Sequence, residues 1–355
     1  MKKIAVGLSG GVDSSVAALL LKEEGYRVEG IFMKIWDGKE KSSSKPACYG
    51  PEEKDIEDVK KVTDILKIPL HIIDLRKEYK EVVIDYFKNE YIKGRTPNPC
   101  IICNRFLKFG VLLEKTAKSG INFDYFATGH YARIEFDRER GRYILKKGKD
   151  PDKDQSYFLY LLTQEQLSRL IFPLGNYTKK KVREIAERYN LPVSDKEESQ
   201  DFISPDRFFL FENGKRQGEI VDKYGNVLGK HKGIIYYTIG QRRGLGIARG
   251  KPYYVIGIDG EKNRIVVGEE EDLFRKEFIV KNINLISVEK IEKAIRVDVK
   301  IRYKHSPSPA TVIPFKKDSL RVIFDFPQRA ITPGQSAVFY QKDIVLGGGI
   351  IEKVL

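Results

Sequence analysis

The chain is poor in sulfur and has no long apolar stretch. Of its 355 residues only 3 are Cys, 2 are Met and 1 is Trp. Three cysteines cannot build a disulfide framework, which excludes a stapled secreted fold. The spacing Cys100-Ile-Ile-Cys103 reads instead as redox, metal or nucleophile chemistry in a reducing compartment. Histidine is as scarce: His71, His130, His231 and His305 are scattered, so a four-ligand zinc site is not expected. No run approaches the ~18 apolar residues of a membrane span. The opening Met-Lys-Lys-Ile-Ala-Val-Gly-Leu-Ser-Gly-Gly turns to glycine too early for a secretory signal. These absences point to a soluble cytoplasmic protein with no membrane partner.

What is present is charge. Charged residues make up 32% of the chain and hydrophobic residues 41%, an ordinary globular balance. Lys and Arg number 64 against 50 acidic residues, a net +14, the electrostatic footprint of a protein that meets a polyanion. At ~150 residues per domain this length suggests two or three domains.

The first third alternates strand and helix signals. Residues 3–8 are a short apolar run suited to a buried parallel strand. Residues 14–24 read as a helix closed by Gly25, 28–35 as a strand, 52–66 as an amphipathic helix, 70–75 as a strand, 105–118 as a helix and 125–128 as a strand. This order predicts a parallel, doubly wound α/β sheet with ligands beyond the carboxyl ends of its strands. Residues 37–46 read as a polar loop. Residues 158–190 read as helical, most clearly at 179–189, with Lys179-Lys180-Lys181 as a solvated helix start. From Gly229 on, short β-rich runs predict antiparallel strands ending in a small barrel.

Two motifs carry chemistry. Gly7-Leu8-Ser9-Gly10-Gly11-Val12-Asp13-Ser14-Ser15 ends the first strand and opens a helix, so glycines and unpaired helix amides face an anion. Ser14 and Ser15 are expected to cap the helix. Asp13 would repel phosphates unless a cation lies between, and a Mg²⁺ site is expected there. The absence of a Lys after the glycines excludes the Gly-Lys-Ser/Thr nucleotide loop; the pattern resembles the pyrophosphate loop of N-type ATP pyrophosphatases. In the second motif, Arg95-Thr96-Pro97-Asn98-Pro99-Cys100-Ile101-Ile102-Cys103-Asn104, Cys103 is expected at a helix entry, where unpaired amides favour thiolate.

Further segments extend the likeness: Phe32-Met33-Lys34, Ala127-Thr128-Gly129-His130-Tyr131, Lys153-Asp154-Gln155-Ser156-Tyr157, Gly240-Gln241-Arg242-Arg243-Gly244, Arg302-Tyr303 and Phe326-Pro327-Gln328-Arg329. With them the whole chain resembles the tRNA-specific 2-thiouridylase family of the pyrophosphatase superfamily. The resemblance implies an adenine nucleotide alpha hydrolase-like catalytic domain over residues 1–205, a small tRNA-contacting domain over 206–272 and a C-terminal antiparallel β-barrel over 273–355. It implies ATP-dependent 2-thiolation of the wobble uridine of tRNAs for Lys, Glu and Gln, through an adenylated C2 oxygen. Gly7, Leu8, Ser9, Gly10, Gly11, Val12, Asp13 and Ser14 would hold ATP, with Met33 and Gly129 at its adenine and ribose. Asn98, Pro99 and Cys100 would meet the target base, and Lys153, Asp154, Gln155, Arg302 and Tyr303 would touch tRNA. Cys103 would be the nucleophile, fed by a persulfide carrier protein or sulfide.

The chain departs from that family at two places. Cys100 stands where better-known members carry Asp, and their second catalytic Cys, in a Cys-Phe-Ile segment, is missing from Glu198-Ser199-Gln200-Asp201-Phe202-Ile203. Either Cys100 or Cys48 replaces the lost thiol, or Cys48, Cys100 and Cys103 hold a [4Fe–4S] cluster. Two other classes stay in view: a pyrophosphatase adenylating a small amide or carboxyl substrate, and a non-catalytic RNA-binding or sulfur-carrier module.

Overall fold

The structure, a computed structural model, describes residues 1–36, 38, 47–196, 201–203, 211, 216–247 and 251–355. The expected loop at 37–46 lies, apart from Gly38, outside them, as do residues 197–200. The chain forms two compact units. One comprises Met1–Val83, Cys100–Asp206 and Asp343–Val345, the other Ile84–Pro99, Arg207–Lys342 and Leu346–Leu355.

The strands of the first unit, in chain order, are β1 (Lys3–Leu8), β2 (Arg27–Lys34), β3 (Ala47–Tyr49), β4 (Leu70–Asp74), β5 (Tyr125–Thr128), β6 (Ala132–Asp137), β7 (Arg142–Lys147), β8 (Leu170–Ile171) and β9 (Asp201–Ile203). Five of them form a parallel sheet ordered β4-β2-β1-β5-β8. Its central strand is apolar on both faces because helices cover both: Ile4, Ala5 and Val6 are wholly buried. Helix α1 (Val12–Glu23), helix α2 (Glu53–Leu66) and the helix Lys179–Arg188 share one core with that strand, through Val16, Leu19, Val59, Val62, Val182, Ile185 and Ala186. The chain winds outward from β1 through β2 to β4, then resumes at β5 on the other side. The order reverses between β1 and β5, which opens a crevice at their carboxyl ends.

Two local expectations are corrected. Helix α1 starts at Val12 rather than Ser14, because Gly11 adopts an extended φ of −99° and serves as N-cap. The stretch 158–190 is not continuously helical. Short turns surround Gln164–Ser168, and Leu170–Ile171 joins the sheet edge beside β5. The hairpin β6–β7 was not read at all, although Ala132, Ile134 and Phe136 alternate with Arg133, Glu135 and Asp137 at the period of a strand. Ile344 and Val345 add to this hairpin against Lys146 and Leu145.

The second unit carries β10 (Gly218–Asp222), β11 (Val227–His231), β12 (Tyr254–Asp259), β13 (Arg264–Gly268), β14 (Phe274–Leu285), β15 (Ile295–Lys300), β16 (Ser308–Pro314), β17 (Ser319–Arg329), β18 (Ser336–Gln341) and β19 (Ile344–Val354). A four-stranded sheet runs β11-β10-β13-β12, and its β10–β13 pairing is parallel, an exception to the antiparallel reading. The remaining strands follow the order β14-β17-β16-β15-β18-β19, and β19 pairs back onto β14, closing an antiparallel barrel. Phe278, Val299, Val312, Val322, Phe324 and Phe339 fill it. Among the described residues no helix is long and apolar enough to cross a membrane.

Candidate functional site

The loop between β1 and α1 is held by its own side chains. Gly10 has φ +73°, and a Cβ there would lie 2.9 Å from the carbonyl oxygen of Asp55, so glycine is required twice over. Ser14 Oγ donates to Gly11 O at 3.1 Å and accepts from Ser9 N at 3.1 Å, while Ser15 Oγ donates to Gly11 O at 3.0 Å. The serines therefore tie the loop together rather than cap the helix as expected. The first-turn amides of α1, which have no intrahelical acceptor, form the positive end of the helix dipole at the crevice. Gly129 follows β5 directly. A Cβ on it would sit 2.7 Å from Asp13 C and Ser14 N, so the two backbones touch. Met33 lies at the carboxyl end of β2, paired with Ile73. The segment Gly7–Ser14, Met33 and Gly129 are thus gathered at the carboxyl ends of β1, β2 and β5.

Asp13 does not carry its charge alone. Lys179 Nζ lies 2.7 Å from each of its carboxylate oxygens, and Tyr131 OH donates to Oδ1 at 2.7 Å. Lys179 and Tyr131 thus engage the carboxylate at which a Mg²⁺ site is expected. Sequence reasoning missed Lys179 by assigning all three lysines to a solvated helix start. Lys180 and Lys181 are exposed, but Lys179 is buried. The signal was available: Lys179, Val182 and Ala186 fall at i, i+3 and i+7, on the face that packs into the core.

The thiol pair lies on a helical segment of the same chain. The helical segment begins at Pro99, whose fixed φ suits a first helical position, and runs Pro99–Ile102 into a π-helical stretch Cys103–Val111. Cys103 is therefore not at the helix entry as expected; it opens the π segment one turn in. Burial, not the helix start, governs its chemistry. Burial pushes the Cys103 thiol up to about 11 against the pull of Lys108, and lifts Cys100 higher still with help from Cys48 and Cys103. The i→i+5 register of a π-helix brings residues five apart onto one face, which places Lys108 on the side of Cys103. Gln166 Nε2 donates to Arg105 O at 3.0 Å and Phe109 O at 2.7 Å, satisfying carbonyls of the widened turn.

Cys48, exposed on β3, acts electrostatically on both half-buried thiols. Next to it, Tyr49 stacks on the fully buried Tyr79, with ring centroids 5.4 Å apart. Burial holds the Tyr79 hydroxyl protonated, and Cys103, Cys48 and Cys100 reinforce that. Among the described residues no three metal-binding side chains gather around one point. Cys48 and Cys103 both help to raise the Cys100 thiol. β3 pairs in parallel with β9, in register Ala47↔Asp201 and Tyr49↔Ile203.

His130 links the two halves of the site. Its Nδ1 lies 2.7 Å from Thr128 Oγ1, and its ring packs on Phe109 and Phe172. Burial, reinforced by Lys108, lowers its pKa well below the ordinary value, so the imidazole stays neutral at pH 7. The folded state then binds fewer protons than the unfolded chain below pH ~6.5, so His130 costs stability as the pH falls through that value. In chemical denaturation between pH 7.5 and 5, His130→Asn should show a shallower loss of stability than wild type; equal slopes would refute this.

The expected tRNA contacts divide. Asp154 is buried, accepts from Gly148 N and Ser156 N at 3.0 Å each, and pins its own loop. Gln155 Oε1 accepts from Tyr131 N at 3.0 Å, so this side chain braces the link between β5 and β6 that carries Gly129. Lys153 remains partly accessible. In the second unit, Thr96 is clamped by Thr238 Oγ1 at 2.7 Å and by Gln335 Nε2, which donates to Thr96 O at 2.9 Å. That fixes the approach to Asn98 and Pro99. Arg302 and Tyr303 lie in the turn after β15, with Lys300 Nζ 5.5 Å from the Tyr303 ring centroid. Arg242 lines a hollow of about 500 Å³ with Lys251 and Tyr253.

Comparison with known proteins bears on the whole chain. A family model described as tRNA methyl transferase HUP domain matches residues 2–204, one described as tRNA methyl transferase PRC-barrel domain matches 207–269, and one described as aminomethyltransferase beta-barrel domain matches 275–351. The tRNA-specific 2-thiouridylase MnmA 1 of Caldanaerobacter subterraneus subsp. tengcongensis is 52% identical over 361 residues, covering 99% of this chain and 98% of that protein. The tRNA-specific 2-thiouridylase MnmA of Clostridioides difficile is 49% identical, covering 100% and 99%. Among solved structures, a 4-thiouridine synthetase–RNA complex is similar at 20% identity and TM-score 0.36, over 56% of this chain and 44% of that one. With near full-length identity of about half to relatives that share one name, and family models matched from the first strand to the last, the chain belongs to the tRNA-specific 2-thiouridylase family.

Proposed function

We propose that this protein is an ATP-dependent sulfurtransferase that replaces the C2 oxygen of a tRNA wobble uridine with sulfur, in the cytoplasm. The observation that carries the reading is a path in one unit: the glycine loop meets Gly129, His130 follows, and its ring packs on Phe109 of the π segment that Cys103 opens, with centroids 5.7 Å apart. A nucleotide-type loop and a half-buried nucleophile are thereby parts of one site. ATP, entering as its Mg²⁺ complex, places AMP on the C2 oxygen and releases pyrophosphate, which turns a poor leaving group into a good one. The terminal sulfur of a persulfide on Cys103 attacks C2, and AMP departs with the oxygen. A second thiolate then attacks the Cys103 sulfur, releasing 2-thiouridine and leaving a protein disulfide for an external thiol to reduce.

Cys48 is the residue we assign as that second thiol. The assignment is supported by the β3–β9 register, which sets Cys48 beside Asp201-Phe202-Ile203, the stretch that resembles the relatives' second-thiol segment. Lys153, Arg302 and Tyr303 with the net charge of +14 would bind the tRNA, and Asn98 and Pro99 the extruded base. The three family models fall close to a three-domain division at 1–205, 206–272 and 273–355, which we adopt.

The deciding experiment measures iron, acid-labile sulfide and 2-thiouridine formation after anaerobic purification of wild type and Cys48→Ser. The expected result is iron-free active protein, with 2-thiouridine release by Cys48→Ser reduced at least about tenfold and its persulfide-loaded form stalling as a tRNA adduct on Cys103 that an external thiol cleaves. About four iron and four sulfide per chain, lost in the variant, would replace the relay by a cluster on Cys48, Cys100 and Cys103. Pyrophosphate release with a small acceptor and no RNA would move the protein to the small-substrate adenylating class. No pyrophosphate with any tRNA would leave only an RNA-binding module.

A further inference from the structure

The nucleotide loop contains a contradiction that one buried side chain resolves. Asp13 occupies the second helical position of α1, where the free amides and the helix dipole favour an anion while its own carboxylate repels one. The carboxylate is matched by a single ammonium, Lys179 Nζ, 2.7 Å from both oxygens, with Tyr131 OH as a further donor. The Lys179 side chain is 10% exposed and that of Asp13 29%, so the pair is sheltered on the lysine side and open at the carboxylate edge, beside the loop. Lys179 is fixed there by Val182 and Ala186 on the same helix face and by its backbone amide, which donates to Asp150 Oδ2 at 2.8 Å.

We propose that Lys179 is a phosphate-binding residue of this enzyme, its ammonium bridging Asp13 and the β- and γ-phosphates of ATP, so that the chain supplies from a distant helix the cation its glycine loop lacks. The proposal rests on the ATP-dependent reading above and names the group that holds the departing pyrophosphate. A tie between two helices would need only the Asp13–Lys179 contact. A phosphate ligand also needs a loop shaped for an anion beside that contact, which Gly10 at φ +73° and the free first-turn amides of α1 supply.

The test compares ATP and AMP binding by equilibrium dialysis in wild type, Lys179→Met and Lys179→Arg. ATP affinity should fall at least about thirtyfold in Lys179→Met and recover in part in Lys179→Arg, while AMP, which lacks the β- and γ-phosphates, binds within about threefold in all. Equal loss for ATP and AMP, or no loss for either, overturns the proposal. Wild type that binds neither nucleotide overturns the ATP-dependent reading instead. Because Lys179→Met removes one side of a buried pair, wild type gives an independent readout. Acylation of Lys179 by an amine reagent, followed by peptide mass spectrometry, should slow at least about fivefold with ATP or pyrophosphate and not with AMP. Identical labelling in all three overturns the proposal without any variant.

Discussion

Cys103→Ser should abolish 2-thiouridine formation, by a factor of at least about 10³, while tRNA and ATP binding stay within about twofold of wild type. Serine has nearly the volume of cysteine and needs no repacking of the π segment. It fails because its oxygen cannot carry the transferred sulfur. The burial that pushes the Cys103 thiol up to about 11 would hold a hydroxyl protonated more firmly still. In the proposed sequence adenylation precedes sulfur attack, so the variant should still release pyrophosphate in a first burst with tRNA and then stall. Mass spectrometry of nuclease-digested tRNA gives the thiouridine yield, and a pyrophosphate assay gives the burst. Full thiolation in the variant would remove Cys103 from the nucleophile role. Loss of the burst as well would mean that the substitution had disturbed the nucleotide side of the site. The path from the Cys103 segment through Phe109 and His130 to Gly129 makes that a real distinction rather than a formality.

Much of this was legible in the residues. The parallel sheet announced itself through short apolar runs joined by helices, and the loop at residues 7–15 through glycines placed where a strand must turn into a helix. The terminal barrel followed from strand-length runs between turn residues. What was not legible depended on partners far along the chain. Whether Lys179 is solvated or buried is decided by the neighbours of Val182 and Ala186, and Asp13, its counter-charge, lies 166 residues away. The start of the thiol helix turned on Pro99, which favours a first helical position as readily as it stiffens a loop. The π register of Cys103–Val111 has no sequence signature of its own; Gln166 stabilises it from another helix. Cys48 comes to the site through a pairing between β3 and β9, two three-residue strands too short to read from pattern.

Gly129→Ala should disable the nucleotide side of the site. Its φ is not in the left-handed region, so backbone strain is not the reason; alanine could adopt this conformation freely. The reason is space. The added Cβ would lie 2.7 Å from Asp13 C and Ser14 N and 2.9 Å from Asp13 O, all backbone atoms of the first turn of α1, which cannot swing aside as a flexible side chain would. To fit, β5 and α1 must separate by roughly half an ångström or more, at a cost of about 1–3 kcal/mol for overpacking. That displacement falls on the loop that must present amides to phosphate, where a small misplacement is amplified in rate. ATP-dependent pyrophosphate release should therefore drop at least about 100-fold, whereas the denaturation midpoint moves only modestly. The neighbouring substitution Gly141→Ala separates this from a general penalty on glycine. It has φ +61° and nothing within 4 Å of the new Cβ, so it should cost about 1 kcal/mol of stability and leave catalysis alone. If Gly129→Ala kept full pyrophosphate release, the contact between β5 and the glycine loop would have no part in holding the nucleotide, and the site would have to be drawn without Gly129.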